Sequence, residues 1–145
     1  LKASRGLIAF TSSPGSSCYM HGPAYGAQKA GVDKMAADMA VDFDGTGVYT
    51  VSIWMGILLT ERLERALQGQ PGAYAATAEH AETPQFTGRL IDALYNDPDL
   101  AELNGHTVIG AELAHRYGIV DEAGRQPPSH RALGSPRAPS TVVIR

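Results

Sequence analysis

Tyr25 and Lys29 stand where a helix would bring them together, in the string Tyr25-Gly26-Ala27-Gln28-Lys29. A spacing of four puts both side chains on one helix face, a turn apart. A phenol ordinarily ionises near ~10, above the range in which it exchanges protons efficiently at neutral pH. A neighbouring ammonium favours the phenolate, and a phenol placed this way can pass a proton to or from a carbonyl or hydroxyl oxygen. Ser12, at the end of the preceding apolar run, adds a hydroxyl that can hold the same oxygen. The pair alone is a weak signal, because Tyr-x-x-x-Lys arises often on amphipathic helix faces.

The elements that must position these residues are legible around them. Gly6 to Thr11 is a short apolar run ending in Ser12-Ser13-Pro14-Gly15, a buried strand running into a loop. Pro23 suits the first turn of a helix. Residues 24–43 then carry helical periodicity, with Val32, Met35, Met39 and Phe43 on one stripe and Lys34 set to pair with Asp38. Small residues such as Ala30, Gly31, Ala36 and Ala40 allow close packing on the other sides, and Gly45 and Gly47 end the helix. Val48 to Trp54 is rich in β-branched and aromatic residues and predicts a second strand that breaks at Met55-Gly56. Thr60 predicts the N-cap of a helix over 61–67. Residues 68–82, rich in Gly, Ala and Thr, predict a mobile loop with at most a short helix. Pro84 opens another helix to about Tyr95. Thr107 to Ile109 is a short third strand, and Ala111 to Tyr117 a short helix stopped by Gly118. Strands alternating with helices imply an α/β domain of parallel units. In such sheets ligands bind at the C-terminal ends of the strands, where the loops bearing Ser12 and Gly56 fall.

In this context the sequence resembles the short-chain dehydrogenases/reductases. Thr11-Ser12 followed by Gly15, then Tyr25 and Lys29, matches that family's active-site signature, in which a Ser precedes the Tyr by thirteen positions. Counting back from Tyr25 selects Ser12 over Ser13. The family usually carries Pro-Gly-x-x-x-Thr after the next strand; here Met55-Gly56-Ile57-Leu58-Leu59-Thr60 keeps the Gly and Thr but not the Pro. Further stretches resemble a single branch of the family: Ser12 to Ser16, Tyr19-Met20, Phe86-Thr87-Gly88-Arg89 and Leu113 to Gly118.

The resemblance implies a Rossmann-type parallel sheet with flanking helices and a nicotinamide cofactor, NAD or NADP, that exchanges hydride with a small carbonyl/alcohol substrate. It implies Tyr25 as proton donor and acceptor and, with Lys29, as a cofactor contact, Ser12 as the group positioning the substrate oxygen, and Lys29 as partner of Tyr25 and of the nicotinamide ribose. It also implies a turn from Gly56 to Thr60 that meets the nicotinamide end through backbone near Leu58 and the Thr60 hydroxyl. With Met55 for Pro, that turn is less fixed in φ. A homo-oligomer pairing the 24–43 helix with its twin is implied as well.

No Gly-x-Gly-x-x-Gly phosphate-binding turn occurs in the 145 residues. With Leu1 in place of an initiator Met, this predicts a partial domain over 1–124 that lacks its N-terminal strands, and weak cofactor binding by the chain alone. The rival expectation is a non-catalytic fragment or degenerate paralogue that only dimerises. From Arg125 onward, Pro127, Pro128, Pro136 and Pro139 among Ser, Arg and Gly predict an extended or disordered tail over 125–145. The net charge of −3 shows no basic stripe for nucleic acid, and no apolar run approaches a bilayer's thickness. The single Cys18 forms no internal disulfide, which fits a reducing, cytoplasmic setting. Cys18 and His21 form Cys-x-x-His, but His80, His106, His115 and His130 are scattered, so no metal site is expected. The place of Cys18 and His21 between Ser12 and Tyr25 suits either the substrate side or a loop with no role. His115, Arg116 and Tyr117 at a helix C-terminus complement the helix dipole without a ligand.

Overall fold

Parallel strands need long connections, and this chain supplies them as helices. The elements follow in the order β1 (Gly6–Ser12), α1 (Pro23–Asp42), β2 (Val48–Trp54), α2 (Glu61–Leu67), α3 (Pro71–His80), α4 (Pro84–Asn96), β3 (Thr107–Ile109) and α5 (Gly110–Tyr117). The computed structural model describes residues 5–144; expectations attached to residues 1–4 and 145 fall outside them. The sheet order is β1-β2-β3, parallel throughout. Gly6 pairs with Val48 and, at the other end, Ser12 with Trp54. That register sets the ends of β1 and β2 side by side.

Side chains alternate across β2 and so build two different faces. Val51 and Ile53, fully buried, pack with Phe86, Leu90 and Leu94 of α4 and with Leu113 and Ala114 of α5. The four-residue spacing of the α4 residues makes one apolar stripe. Each large side chain buried there contributes on the order of 1.5–3 kcal/mol.

Thr50, Ser52 and Trp54 serve α1 on the other face. The Thr50 hydroxyl donates to the Ala36 carbonyl at 2.6 Å. The Asp33 carboxylate accepts from the Ser52 hydroxyl at 2.7 Å and from the Trp54 indole N–H at 2.8 Å. Buried Ala36 and Ala40 let the helix backbone approach the strands closely. An apolar stripe on a helix ordinarily faces the core. Here the small, polar-pinned side does so instead, and the Val32, Met35 and Met39 stripe is left at the side, with Met35 47% exposed and Val32 and Met39 half-buried. Lys34 and Asp38 form the expected ion pair on that exposed surface.

Other expectations meet the structure closely. The Thr60 hydroxyl caps α2 by accepting from the Leu63 amide at 3.3 Å, and Gly118 ends α5 with φ of 65°. The loop expected over 68–82 is corrected: residues Pro71–His80 form a ten-residue helix with no buried side chain. Pro71 opens it, and Ala73, Ala75, Ala76 and Ala78 favour helix intrinsically, without a packed face. Past Gly124 the described chain makes one further turn, Arg131–Leu133. This segment is anchored: Arg131 forms an ion pair with Glu112, the Ser129 hydroxyl donates to Glu112 at 2.8 Å, and the Arg125 guanidinium donates to the Ala78 carbonyl at 2.8 Å. Among the described residues, no helix is long and apolar enough to cross a membrane.

Candidate active site

The C-terminal end of β1 delivers two adjacent serines, and α1 begins seven residues after the Pro14–Ser16 turn that follows them. Ser13 caps that turn, its hydroxyl accepting from the Gly15 amide at 3.2 Å. The same hydroxyl lies 2.9 Å from the Tyr25 hydroxyl. Gly15 is needed at this point, since a Cβ there would fall 2.6 Å from the Tyr25 ring. Lys29 sits one turn further along α1, with Nζ 5.6 Å from the Tyr25 ring centroid and donating to the Thr11 carbonyl at 3.4 Å. Ser12, fully buried, turns its hydroxyl to the Lys29 carbonyl at 3.4 Å.

The structure thus gathers Ser12, Tyr25 and Lys29 in one place and separates the roles of the two serines. The residue selected by spacing, Ser12, bonds to helix backbone; its neighbour Ser13 meets the Tyr25 hydroxyl. His21 adds an imidazole edge-on to the Tyr25 ring, centroids 5.0 Å apart. It adopts φ of 53°, a conformation uncommon for a residue with a Cβ and found often at functional turns. Cys18, half-buried, lies in the same loop. Among the described residues, no group of three or more His, Cys, Asp or Glu is placed to hold a metal ion.

The second side of the site is the turn after β2. The Met55 amide donates to the Ser12 carbonyl at 3.1 Å, tying the turn to the end of β1. Leu58 pairs with Glu82 in an isolated parallel bridge: the Glu82 amide donates to Ile57 at 2.8 Å, and the Leu59 amide to Glu82 at 2.9 Å. Gly56 and Leu58 are therefore held from the α3–α4 connection. The Thr60 hydroxyl accepts as an N-cap and keeps a proton to donate.

Glu82 itself escaped sequence reasoning, hidden in a segment read as loop. It is 2% exposed, and its Oε1 is buried without a hydrogen-bond partner. Burial pushes its carboxyl up to about 7, the Gly56 backbone pulls it down, and the neighbouring Asp121 charge raises it further. Asp121, also 2% exposed, accepts from the Thr83 amide at 2.8 Å, the Thr83 hydroxyl at 2.5 Å and the Glu122 amide at 2.8 Å. Burial alone would raise its pKa; those donors, with Arg125, hold it below the usual carboxylate range. Arg116 at the end of α5 is accounted for structurally, since it lies 3.7 Å from Asp97, which also accepts from the Tyr117 hydroxyl at 2.5 Å.

A phenol, a hydroxyl and an ammonium at the C-terminal ends of parallel strands can hold an oxygen and move one proton to or from it. The short chain dehydrogenase family model matches residues 1–71. Dehydrogenase/reductase SDR family member 1 from Homo sapiens is 39% identical over 140 residues, covering 92% of this chain and 45% of that protein. Its Mus musculus counterpart is 33% identical over 139 residues, covering 91% and 44%. This is the branch that the Ser12–Ser16, Phe86–Arg89 and Leu113–Gly118 stretches resemble. The chain spans about 45% of the length of these curated relatives. Among solved structures, an oxidoreductase of the short chain dehydrogenase/reductase family from Burkholderia thailandensis superposes with a TM-score of 0.61 at 22% identity, over 75% of this chain and 45% of that one. A 4-hydroxyisoleucine dehydrogenase complexed with NADH superposes with a TM-score of 0.57 at 20% identity, over 72% and 45%. At such identities these two structures speak to the fold, a Rossmann-type parallel sheet with flanking helices.

Proposed function

This chain belongs to the short-chain dehydrogenase/reductase family, and on that premise we propose that it carries the proton-transfer centre of a nicotinamide-dependent oxidoreductase acting on a carbonyl/alcohol pair. The observation that carries the reading is the Tyr25 hydroxyl, 2.9 Å from a serine hydroxyl with the Lys29 ammonium one helical turn away. Tyr25 gives its proton to the substrate oxygen in reduction and takes one in oxidation. Ser12, selected by spacing, and Ser13, selected by geometry, are the two hydroxyls available to hold that oxygen. The donor set fits NAD or NADP: the Lys29 ammonium has three protons and spends one on the Thr11 carbonyl, leaving donors for ribose hydroxyls. Gly56, Leu58 and Thr60 would hold the nicotinamide end. When bound, the cofactor supplies or accepts hydride. The same reading takes the protein to be a cytoplasmic homo-oligomer.

A non-catalytic dimerisation module is the alternative that the exposed Met35 of α1 favours. The full-length gene product, supplied with NADH or NADPH and a panel of aldehydes and ketones, separates the two. Consumption of cofactor that depends on the carbonyl compound supports the enzyme. A dimer with no turnover on any member, and no cofactor binding, leaves the module.

A further inference from the structure

We propose that Glu82 is a positioning residue: its main chain and its buried carboxyl together set the Gly56–Thr60 turn against which a nicotinamide would lie. The inference rests on reading that turn as the cofactor's contact.

The turn lacks the proline that would fix its φ, since Met55 stands there. Glu82 replaces that constraint from outside. Its amide and carbonyl bond the two sides of Leu58, to Ile57 at 2.8 Å and from Leu59 at 2.9 Å. Its carboxyl packs on Gly56 so closely that a Cβ there would lie 2.9 Å from Oε2. On its far side, Glu82 is fixed by the chain continuing into Thr83, which Asp121 holds through both amide and hydroxyl. The turn is thereby braced to α4 and not left to follow α2 and α3.

The carboxyl is poorly provided for as an anion. Oε1 has no donor, Asp121 opposes it, and the Gly56 backbone is the group that favours its charge. His130 also faces Gly56, its Nε2 2.8 Å from where a Cβ would lie, but burial lowers its pKa and so favours neutral imidazole. Arg125 is turned to Asp121 at 3.3 Å. Protonated Glu82 removes the buried, poorly solvated charge and the repulsion together, so the brace is firm below the titration at about 7 and loosened above it.

Three proteins, wild type, Glu82→Gln and Glu82→Ala, test this as full-length gene products by NADH and NADPH titration and by amide hydrogen exchange without cofactor. Gln keeps the shape of the neutral acid and cannot ionise. We expect wild-type cofactor affinity to weaken about three- to tenfold from about pH 6 to about pH 8, and Gln to stay at the tight, low-pH level throughout. Ala is expected to lose affinity at every pH and to lose protection at the Leu59 amide. A carboxylic-acid infrared band that disappears on raising the pH, and is missing from Gln, assigns the titration to Glu82. The same pH inflection in Gln as in wild type overturns the proposal. So does lost Leu59 protection with unchanged cofactor affinity in Ala. A wild type that binds no nicotinamide cofactor at any pH defeats the functional reading instead; Leu59 protection that is unaltered in Ala then sinks the brace as well.

Discussion

At the scale of single residues, Tyr25 and Lys29 were legible because their relation is local. A four-residue spacing on a helix fixes which side chains meet without any tertiary knowledge. The serine was not decided in the same way. Ser12 and Ser13 are neighbours at a strand end, where consecutive side chains leave in opposite directions, so one position in register exchanges the two. Spacing back from Tyr25 chose Ser12, whereas the hydroxyl that reaches Tyr25 is that of Ser13. Single alanine variants separate them. The geometry predicts the larger fall in kcat at Ser13, about tenfold or more, with Ser12→Ala acting mainly through stability. A larger kcat loss at Ser12 would return the role to the residue chosen by spacing, with its hydroxyl turned away from Lys29.

At the scale of elements, the strands and most helices followed from composition and punctuation. Val48–Trp54 and Thr107–Ile109 fall where their β-branched runs place them. What composition concealed was orientation. The face of α1 that meets the sheet is chosen by Asp33 and Ala36, whose contacts with Ser52, Trp54 and Thr50 involve residues fourteen or more positions away. Charge-assisted bonds such as those at Asp33 are worth about 1.5–3 kcal/mol each, enough to outweigh an apolar stripe on a half-exposed helix. Glu82 stayed hidden for the same reason, its significance lying in the Gly56 turn. A stability consequence follows. Its carboxyl titrates near about 7 in the fold, against 4.5 unperturbed. The folded state therefore keeps a proton that the unfolded chain releases, and stability is lost as pH rises from 4.5 to about 7. The loss is about 3 kcal/mol at most. Chemical denaturation should show wild type losing ground to Glu82→Gln across that interval; parallel curves would place Glu82's titration elsewhere.

At the scale of the molecule, the parallel sheet with helices on both faces was readable from the alternation of segments. The exposure of Met35 on α1 was not, and it is the position at which the expected pairing of α1 with a second copy can be tested. Light scattering should find wild type as a dimer and Met35→Asp as a monomer, because burying a carboxylate at an apolar helix interface costs several kcal/mol. An unchanged mass in the variant would move the contact off this face. The chain spans about 45% of its curated relatives, and its own sequence holds the Tyr25–Lys29 pair and the Gly56 turn but no glycine-rich phosphate loop.

The most direct test of that chemistry is the Tyr25→Phe variant of the full-length gene product, assayed for carbonyl-dependent oxidation of NADH or NADPH beside wild type. Phe keeps the ring that Gly15 accommodates and removes only the hydroxyl. The account predicts that kcat falls at least about a hundredfold, with the thermal midpoint and cofactor affinity nearly unchanged. Turnover close to wild type would contradict it and remove Tyr25 from the reaction.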